Sequence, residues 1–153
     1  MAEQSITHFY EHDHDRLDEL FKSFQRLKRT DFAKAGGCFR EFKTGLQRHI
    51  IWEEEILFPL FERKTGMTVG GPTQVMRMEH RVIKTYLEEI HDQVQLQNPE
   101  TDEAERKLLE TLSSHNMKEE QILYPAIDRS LEGDEMTHVF RSMEGLSEDR
   151  YSS

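Results

Sequence analysis

The sequence contains very little cysteine and no long apolar stretch. Its one cysteine, Cys38, excludes an internal disulfide among the 153 residues and suits a reducing compartment. No apolar run approaches the roughly 18 residues that a membrane-spanning helix requires. The N-terminal residues lack the basic start and apolar stretch of a secretory signal. We therefore expect a cytoplasmic protein with one domain, because this length supports one continuous core.

Basic charge is also scarce. Lysine and arginine number 20 against 30 acidic residues, which gives a formal net charge of −10. An acidic chain without a basic stripe is poorly suited to nucleic acid or an anionic membrane surface. We expect neither as a partner, and expect metal cations or small molecules instead. The eight histidines are many for a chain of this length and favour the metal.

Proline and glycine are few, and most of them separate long segments of helical periodicity. The pattern predicts an all-α protein with four long helices. We place these helices at about 6–29, 32–64, 72–97 and 99–131, with Ser5, Asp31 and Asn98 as N-caps and Gly66 at the end of the second. A short helix or tail should follow residue 131. Gly36 and Gly37 should fray the start of the second helix, and Pro59 should loosen its end.

A repeat relates the two halves of the chain. The segment "HIIWEEEILFP" begins at His49, and "HNMKEEQILYP" begins at His115. Aligned with a shift of 66 residues, 49–61 and 115–127 share six identities, where chance supplies about one. The same shift places His14 on His80. Two similar helical hairpins predict an antiparallel up-down-up-down four-helix bundle.

The repeat also predicts a cluster of side chains inside the bundle. Antiparallel packing brings one histidine from each helix to a similar height, because each residue adds about 1.5 Å along a helix. Residues four apart share a helix face, so each H-x-x-x-E pair can reach one point. The predicted metal ligands are His14, His49, Glu53, His80, His115 and Glu119.

Ordinary core histidines are the alternative interpretation of this cluster. Each unsatisfied buried polar group costs about 1–3 kcal/mol, and six would consume most of a domain's roughly 5–15 kcal/mol of stability. A bound metal offsets that cost. Nitrogen and carboxylate ligands without thiolate favour iron, or less well manganese or zinc. Four histidines and two bridging glutamates suit two metal ions with a position free for dioxygen, peroxide or nitric oxide.

Several neighbouring residues have less certain roles. His12 is the alternative to His14, although it should face solvent, as should His8, His91 and His138. Tyr10 and Met76 lie one turn before His14 and His80 and should pack over the site, where the Tyr10 hydroxyl could bond a ligand of the metals. Glu54 and Glu120 are displaced by about 100° from the predicted carboxylate ligands, so we expect them to be solvated or to capture incoming metal.

In its histidine and glutamate motifs the sequence resembles the hemerythrin-like (HHE cation-binding) domains. The resemblance covers about residues 8–131 and rests on "HDRLDELF", "HIIWEEEILFP", "MRMEHRVI" and "SHNMKEEQILYP". It implies one hemerythrin-like domain over 1–153, with a core at 6–131 and an extension at 132–153, present as a monomer or weak homodimer. It also implies two iron ions, held by the six ligands above and bridged by carboxylates and an oxo or hydroxo group.

Three functions are consistent with that resemblance. The protein could bind or sense dioxygen or nitric oxide, consume peroxide or nitric oxide as a redox enzyme, or donate iron for repair of iron–sulfur clusters. Oxygen-carrying hemerythrins have a second histidine where this chain has Met76, and an Asp five residues after the last histidine, where this chain has Glu119 at four. The set of four His and two Glu is more similar to bacterial proteins of cluster repair and the nitric oxide stress response.

Overall fold

A computed structural model describes residues 5–67 and 69–151, and over these residues the protein is helical with no strand. The helices are α1 (Ile6–Leu27), α2 (Phe32–Trp52), α3 (Phe58–Thr65), α4 (Pro72–Gln95), α5 (Asp102–Lys118), α6 (Tyr124–Ser130) and α7 (Gly133–Glu144). Two π-helical turns, Glu53–Leu57 and Glu119–Leu123, join α2 to α3 and α5 to α6 without a break. The short C-terminal helix predicted after residue 131 is α7, and a 3-10 turn follows at Glu148–Arg150.

Most of the predicted helix ends are confirmed by their capping contacts. The Ser5 side chain accepts a hydrogen bond from the backbone N–H of His8, and Asp31 accepts one from that of Lys34. Gly66 ends α3 with φ 74°, a left-handed conformation that favours glycine. The first and third long helices stop two residues before their predicted ends.

The predicted start of the fourth helix is wrong. Helix α5 begins at Asp102 with Thr101 at its N-cap position, so Pro99 lies in the preceding loop. The reason is local, since the Asn98 side chain accepts a hydrogen bond from the backbone N–H of Glu100 and so forms a turn instead of a helix cap.

The predicted fraying at Gly36 and Gly37 is also wrong, because α2 is regular from Phe32 onward. Ala35 and Phe39 are fully buried on either side of the two glycines. Their burial anchors this turn in the core, and tertiary packing outweighs the roughly 1 kcal/mol that each glycine costs.

Two apolar clusters lie above and below a polar layer. In the first, between α1, α2, α4 and α5, Phe21 meets Phe42 and Phe24 meets Phe39, with ring centroids 4.7 Å and 5.2 Å apart. Later residues of α1 thus meet earlier residues of α2, so these two helices run in opposite directions. Gly45 permits their close approach, since a Cβ there would lie 2.7 Å from a methyl carbon of Leu17.

The second cluster closes the other end of the polar layer. It contains buried residues of the first helix, of α3 and α6, and of the C-terminal helix, among them Ile6, Phe58, Tyr124 and Val139. Helix α7 is therefore packed on the rest of the protein and covers this end of the site. Within the described residues, no helix is both long and apolar enough to span a membrane.

Candidate metal centre

The six predicted ligands meet in the polar layer between the two apolar clusters. All six are buried, with exposed fractions between 0% and 4%. They divide into two sets, which we call the first half (His14 and His49) and the second half (His80 and His115). The glutamates Glu53 and Glu119 lie between the halves.

Each glutamate offers one oxygen to each half. In the first half, His14 Nε2 lies 3.3 Å from Glu119 Oε1, and His49 Nε2 lies 3.4 Å from Glu53 Oε2. In the second half, His80 Nε2 lies 3.0 Å from Glu53 Oε1, and His115 Nε2 lies 3.3 Å from Glu119 Oε2. Each half thus presents two imidazole nitrogens and two carboxylate oxygens, which is the arrangement of two cation sites that share bridging carboxylates.

The π-helical turns position these glutamates. Glu53 and Glu119 each begin such a turn, and their carbonyls accept hydrogen bonds from the N–H groups of Phe58 and Tyr124, five residues later. A proline follows in both copies, at 59 and 125, and in an α-helix its ring would clash with the carbonyl four residues earlier. The wider turn removes that clash. The loosening expected at Pro59 is therefore confirmed, and it takes the form of a π-helical turn.

A carboxylate lies against the outer nitrogen, Nδ1, of every histidine in the cluster. The contacts are His14 to Glu120 at 2.6 Å, His49 to Asp13 at 2.8 Å, His80 to Glu54 at 2.6 Å and His115 to Glu79 at 2.9 Å. When the ring is neutral, such a contact keeps its proton on Nδ1 and aims the Nε2 lone pair at the centre of the cluster. Metal-binding histidines have this outer partner almost always.

Sequence reasoning missed these four carboxylates. Glu54 and Glu120, which we expected to be solvated or to capture incoming metal, are only partly exposed, and each contacts a histidine of the other repeat copy. A signal was present in the sequence. An acidic residue precedes His14 and His80 and another follows each ligand glutamate, at the same shift of 66 residues.

The centre of the cluster contains more acceptors than donors. Among the described residues, Glu53 Oε1, Glu119 Oε2 and His80 Nε2 are buried without a hydrogen bond, although all three face the same point. Buried polar atoms are rarely left without a partner, because each costs about 1–3 kcal/mol. A cation satisfies all three atoms at once, so the residues present fit a metal.

Without a metal, protons would compensate the buried glutamates. Burial lowers the pKa of His49, but the charge of Glu53 and the hydrogen bond to Asp13 outweigh it and raise that pKa to about 10. Burial likewise opposes protonation of His80, while the carboxylates of Glu53 and Glu54 beside its two ring nitrogens raise the pKa to about 9. Burial would raise the pKa of Glu53, yet the neighbouring His49 holds it well below the usual range. A metal ion must displace the protons on His49 and His80.

One further residue, Tyr124, lies in the first half and was not predicted. Its hydroxyl is 2.5 Å from Glu53 Oε2 and 2.8 Å from Glu119 Oε1. It is also 3.2 Å from His49 Nε2 and 3.4 Å from His14 Nε2. Tyr124 belongs to the repeated phrase that ends in "ILYP", where the first copy has Phe58. The two copies therefore differ at this position.

The two residues predicted to pack over the site are both buried. The Tyr10 hydroxyl, however, donates to Met143 Sδ at 3.5 Å, and it is the edge of its ring that packs against His49, with centroids 4.9 Å apart. Met76 lies in the second apolar cluster. His12 is exposed and His14 is in the cluster, so the choice between them falls on His14. The surface positions of His8 and His138 agree with expectation, and His91 is half-buried.

A small cavity opens onto the cluster from the side of the first apolar cluster. Its polar wall is formed by the four histidines with Glu53, Asp18 and Asn116, and its apolar wall includes Leu17, Phe42, Leu46, Ile50, Ile83 and Leu112. It holds roughly one water-sized molecule. The site therefore has room beside the histidines for a ligand of about the size of a water molecule.

The fold and the cluster define an all-helical protein with a buried metal-binding site. The family model that describes the hemerythrin HHE cation-binding domain matches residues 5–144 of the chain. The protein therefore belongs to the hemerythrin HHE cation-binding domain family, which confirms the resemblance inferred from the sequence.

Several curated proteins are similar in sequence to this chain. The chain is 34% identical over 83 residues to the iron-sulfur cluster repair protein YtfE of Edwardsiella ictaluri, covering 50% of this chain and 37% of that protein. It is 29% identical over 135 residues to an uncharacterised hemerythrin-like protein of Schizosaccharomyces pombe, covering 86% and 64% respectively. The YtfE of Dickeya chrysanthemi is 32% identical over 87 residues, covering 50% and 39%. The chain thus spans less than two thirds of the length of each relative. No solved structure matches the chain significantly.

Proposed function

We propose that the protein holds a non-haem di-iron centre that binds a small ligand such as dioxygen or nitric oxide. The observation that carries this proposal is the division of the cluster into two sets of two nitrogens and two oxygens, with each glutamate shared between the sets. One cation cannot use all eight atoms, whereas two cations can. Neutral nitrogen and carboxylate ligands without thiolate suit iron.

The chain's own residues would set the properties of this centre. When bound, iron supplies a redox-active Lewis acid. The outer carboxylates orient the four imidazoles, and the apolar wall of the cavity keeps bulk water from the ligand position. The size of the cavity favours diatomic molecules and peroxide over any larger substrate.

The proposal extends to the arrangement of the chain. We take the four long helical segments to form an antiparallel up-down-up-down bundle of one domain, active in the cytoplasm as a monomer or weak dimer. The reversed pairing of α1 and α2 supports this order.

Metal content and the visible spectrum test the proposal. Freshly purified protein should contain about two irons per chain, and its oxidised spectrum should bleach on reduction and change reversibly when nitric oxide is added. A single zinc, or no metal at all, would contradict the di-iron centre while leaving the family assignment intact.

Iron donation is the second candidate, and it is favoured by the relatives named as iron-sulfur cluster repair proteins. Deep burial of all six ligands favours retained metal instead. A chelator distinguishes the two, because a donor should lose its iron within minutes and a ligand-binding protein should keep it for hours. Steady turnover of peroxide or nitric oxide would instead indicate a redox enzyme.

A further inference from the structure

The hydroxyl of Tyr124 occupies an unusual position for a phenol in a protein core. It has four close neighbours: one oxygen of Glu53, one oxygen of Glu119, and the Nε2 atoms of His14 and His49. All four are acceptors when the carboxylates are ionised and a metal has displaced the second proton of His49, so that both rings are neutral with their proton on Nδ1. A phenol has one proton, so it can satisfy only one of them. The Tyr124 oxygen is therefore close to the other four atoms in the way that ligand atoms around one cation are close to one another.

The second half provides the matched comparison. Phe58 corresponds to Tyr124 in the repeat, and His80 corresponds to His14. The ring centroids of Phe58 and His80 are 6.0 Å apart, and those of Tyr124 and His14 are 5.8 Å apart. The two rings therefore lie at equivalent positions in their halves. Only the first half has an oxygen there.

We propose that Tyr124 is a metal ligand in the first half and that it makes the two iron positions unequal. This inference rests on the proposed di-iron centre. The first half then supplies five protein ligands, from His14, His49, Glu53, Glu119 and Tyr124. A bridging oxo or hydroxo group completes six, the number preferred by octahedral iron. The second half supplies four, and after the same bridge one position stays free. The exogenous small ligand therefore binds the iron held by His80 and His115.

The bond between the Tyr124 oxygen and the metal forms with atoms and charge in balance. The Tyr124 oxygen–metal bond forms as its O–H bond breaks, and the proton passes to the buffer without any change in oxidation state. A coordinated cation favours loss of a proton from the group it binds. A buried phenolate is then paired with the metal charge instead of being left isolated.

Resonance Raman and visible spectra of the ferric protein test the assignment, with iron content measured on the same samples. Phenolate bound to ferric iron gives a charge-transfer band and tyrosinate ring modes. Tyr124→Phe should lose both, while Tyr10→Phe should keep both. Tyr10 is the matched control because it is equally buried, lies against His49 and donates to Met143.

Phe58→Tyr provides the converse test and does not depend on the folding of Tyr124→Phe. It should add a second phenolate, roughly double the tyrosinate signal and reduce azide binding at least ten-fold, because the free position is filled. Two irons in the wild-type protein without tyrosinate modes, or with modes that persist in Tyr124→Phe, would overturn the role of Tyr124 and leave the di-iron centre standing. Absence of iron from the wild-type protein would overturn both.

Discussion

The two halves of the metal centre are copies of one design with one substitution between them. Both have two histidines, a share of both glutamates and an outer carboxylate on each histidine. At the position where the first half has the hydroxyl of Tyr124, the second half has the apolar ring of Phe58 against His80. In the arrangement we propose, a symmetrical repeat holds two metals and gives them different tasks: one position is closed by the protein, and the other is left for a ligand.

Removal of a shared glutamate should have the largest effect, because it affects both halves. Glu53→Ala should bind less than one metal per chain, where the wild-type protein binds about two. Glu55→Ala is the control, since Glu55 is exposed and pairs only with Arg150 at the surface. Metal analysis after gel filtration measures the result. Equal metal content in the two variants would exclude Glu53 as a bridging ligand.

Removal of one histidine should empty one half. His49→Ala should lose the metal of the first half, and His115→Ala that of the second, so each should retain about one metal per chain and unfold at a lower temperature. His12→Ala should change neither property, because His12 is exposed. Metal content and thermal unfolding followed by circular dichroism check this. Loss of both metals from either variant would show that the halves do not bind independently.

Changes to the outer carboxylates should lower the metal affinity of one half without removing its metal. Glu120→Gln should reduce affinity in the first half through His14, and Glu54→Gln should do so in the second through His80. A loss of about 10–100-fold is typical when such a partner is changed. Competition with a chelator of known affinity measures it. Wild-type affinity in both variants would mean that these contacts do not orient the imidazoles.

The pH dependence of metal binding compares the two halves without any mutation. In the metal-free protein the pKa values of His49 and His80 are raised to about 10 and about 9, and, despite burial, the charge of Glu119 raises that of His115, so each half carries at least one proton at pH 7 that the metal must displace. Affinity per half should rise at least about ten-fold per pH unit from pH 7 toward 9. Calorimetry in buffers of different ionisation enthalpy should show release of at least three protons per chain, two from the histidines and one from the Tyr124 hydroxyl.

The same pKa values set the pH dependence of the metal-free fold. A histidine whose pKa is raised on folding stabilises the protein fully below its unfolded pKa of about 6.5. That contribution is lost as the pH rises through about 9 and 10. Without metal, the free energy of unfolding should therefore fall between about pH 6.5 and 10, and with metal bound it should fall much less. A similar fall in both forms would indicate that His49 and His80 are not metal ligands.

The sequence by itself determined the helical class and the six residues that meet at the centre. A shift of 66 residues aligns every predicted ligand with its counterpart, and helical periodicity places them on buried faces. Burial of histidines and glutamates costs free energy unless each polar atom has a partner. Their burial at repeated positions therefore predicts a site with partners for all of them, before any coordinates are known.

Only the tertiary structure decided which residues surround those six. Tyr124 is five residues after Glu119, about 140° around a regular α-helix, so periodicity places it on another face. The π-helical turn with hydrogen bonds between residues five apart brings both to one face. The outer carboxylates depend on packing as well, since Glu120 reaches His14 from a helical segment more than a hundred residues away along the chain. Periodicity assigns a side chain to a face of its own helix, but its partner on another helix is chosen by how the helices dock.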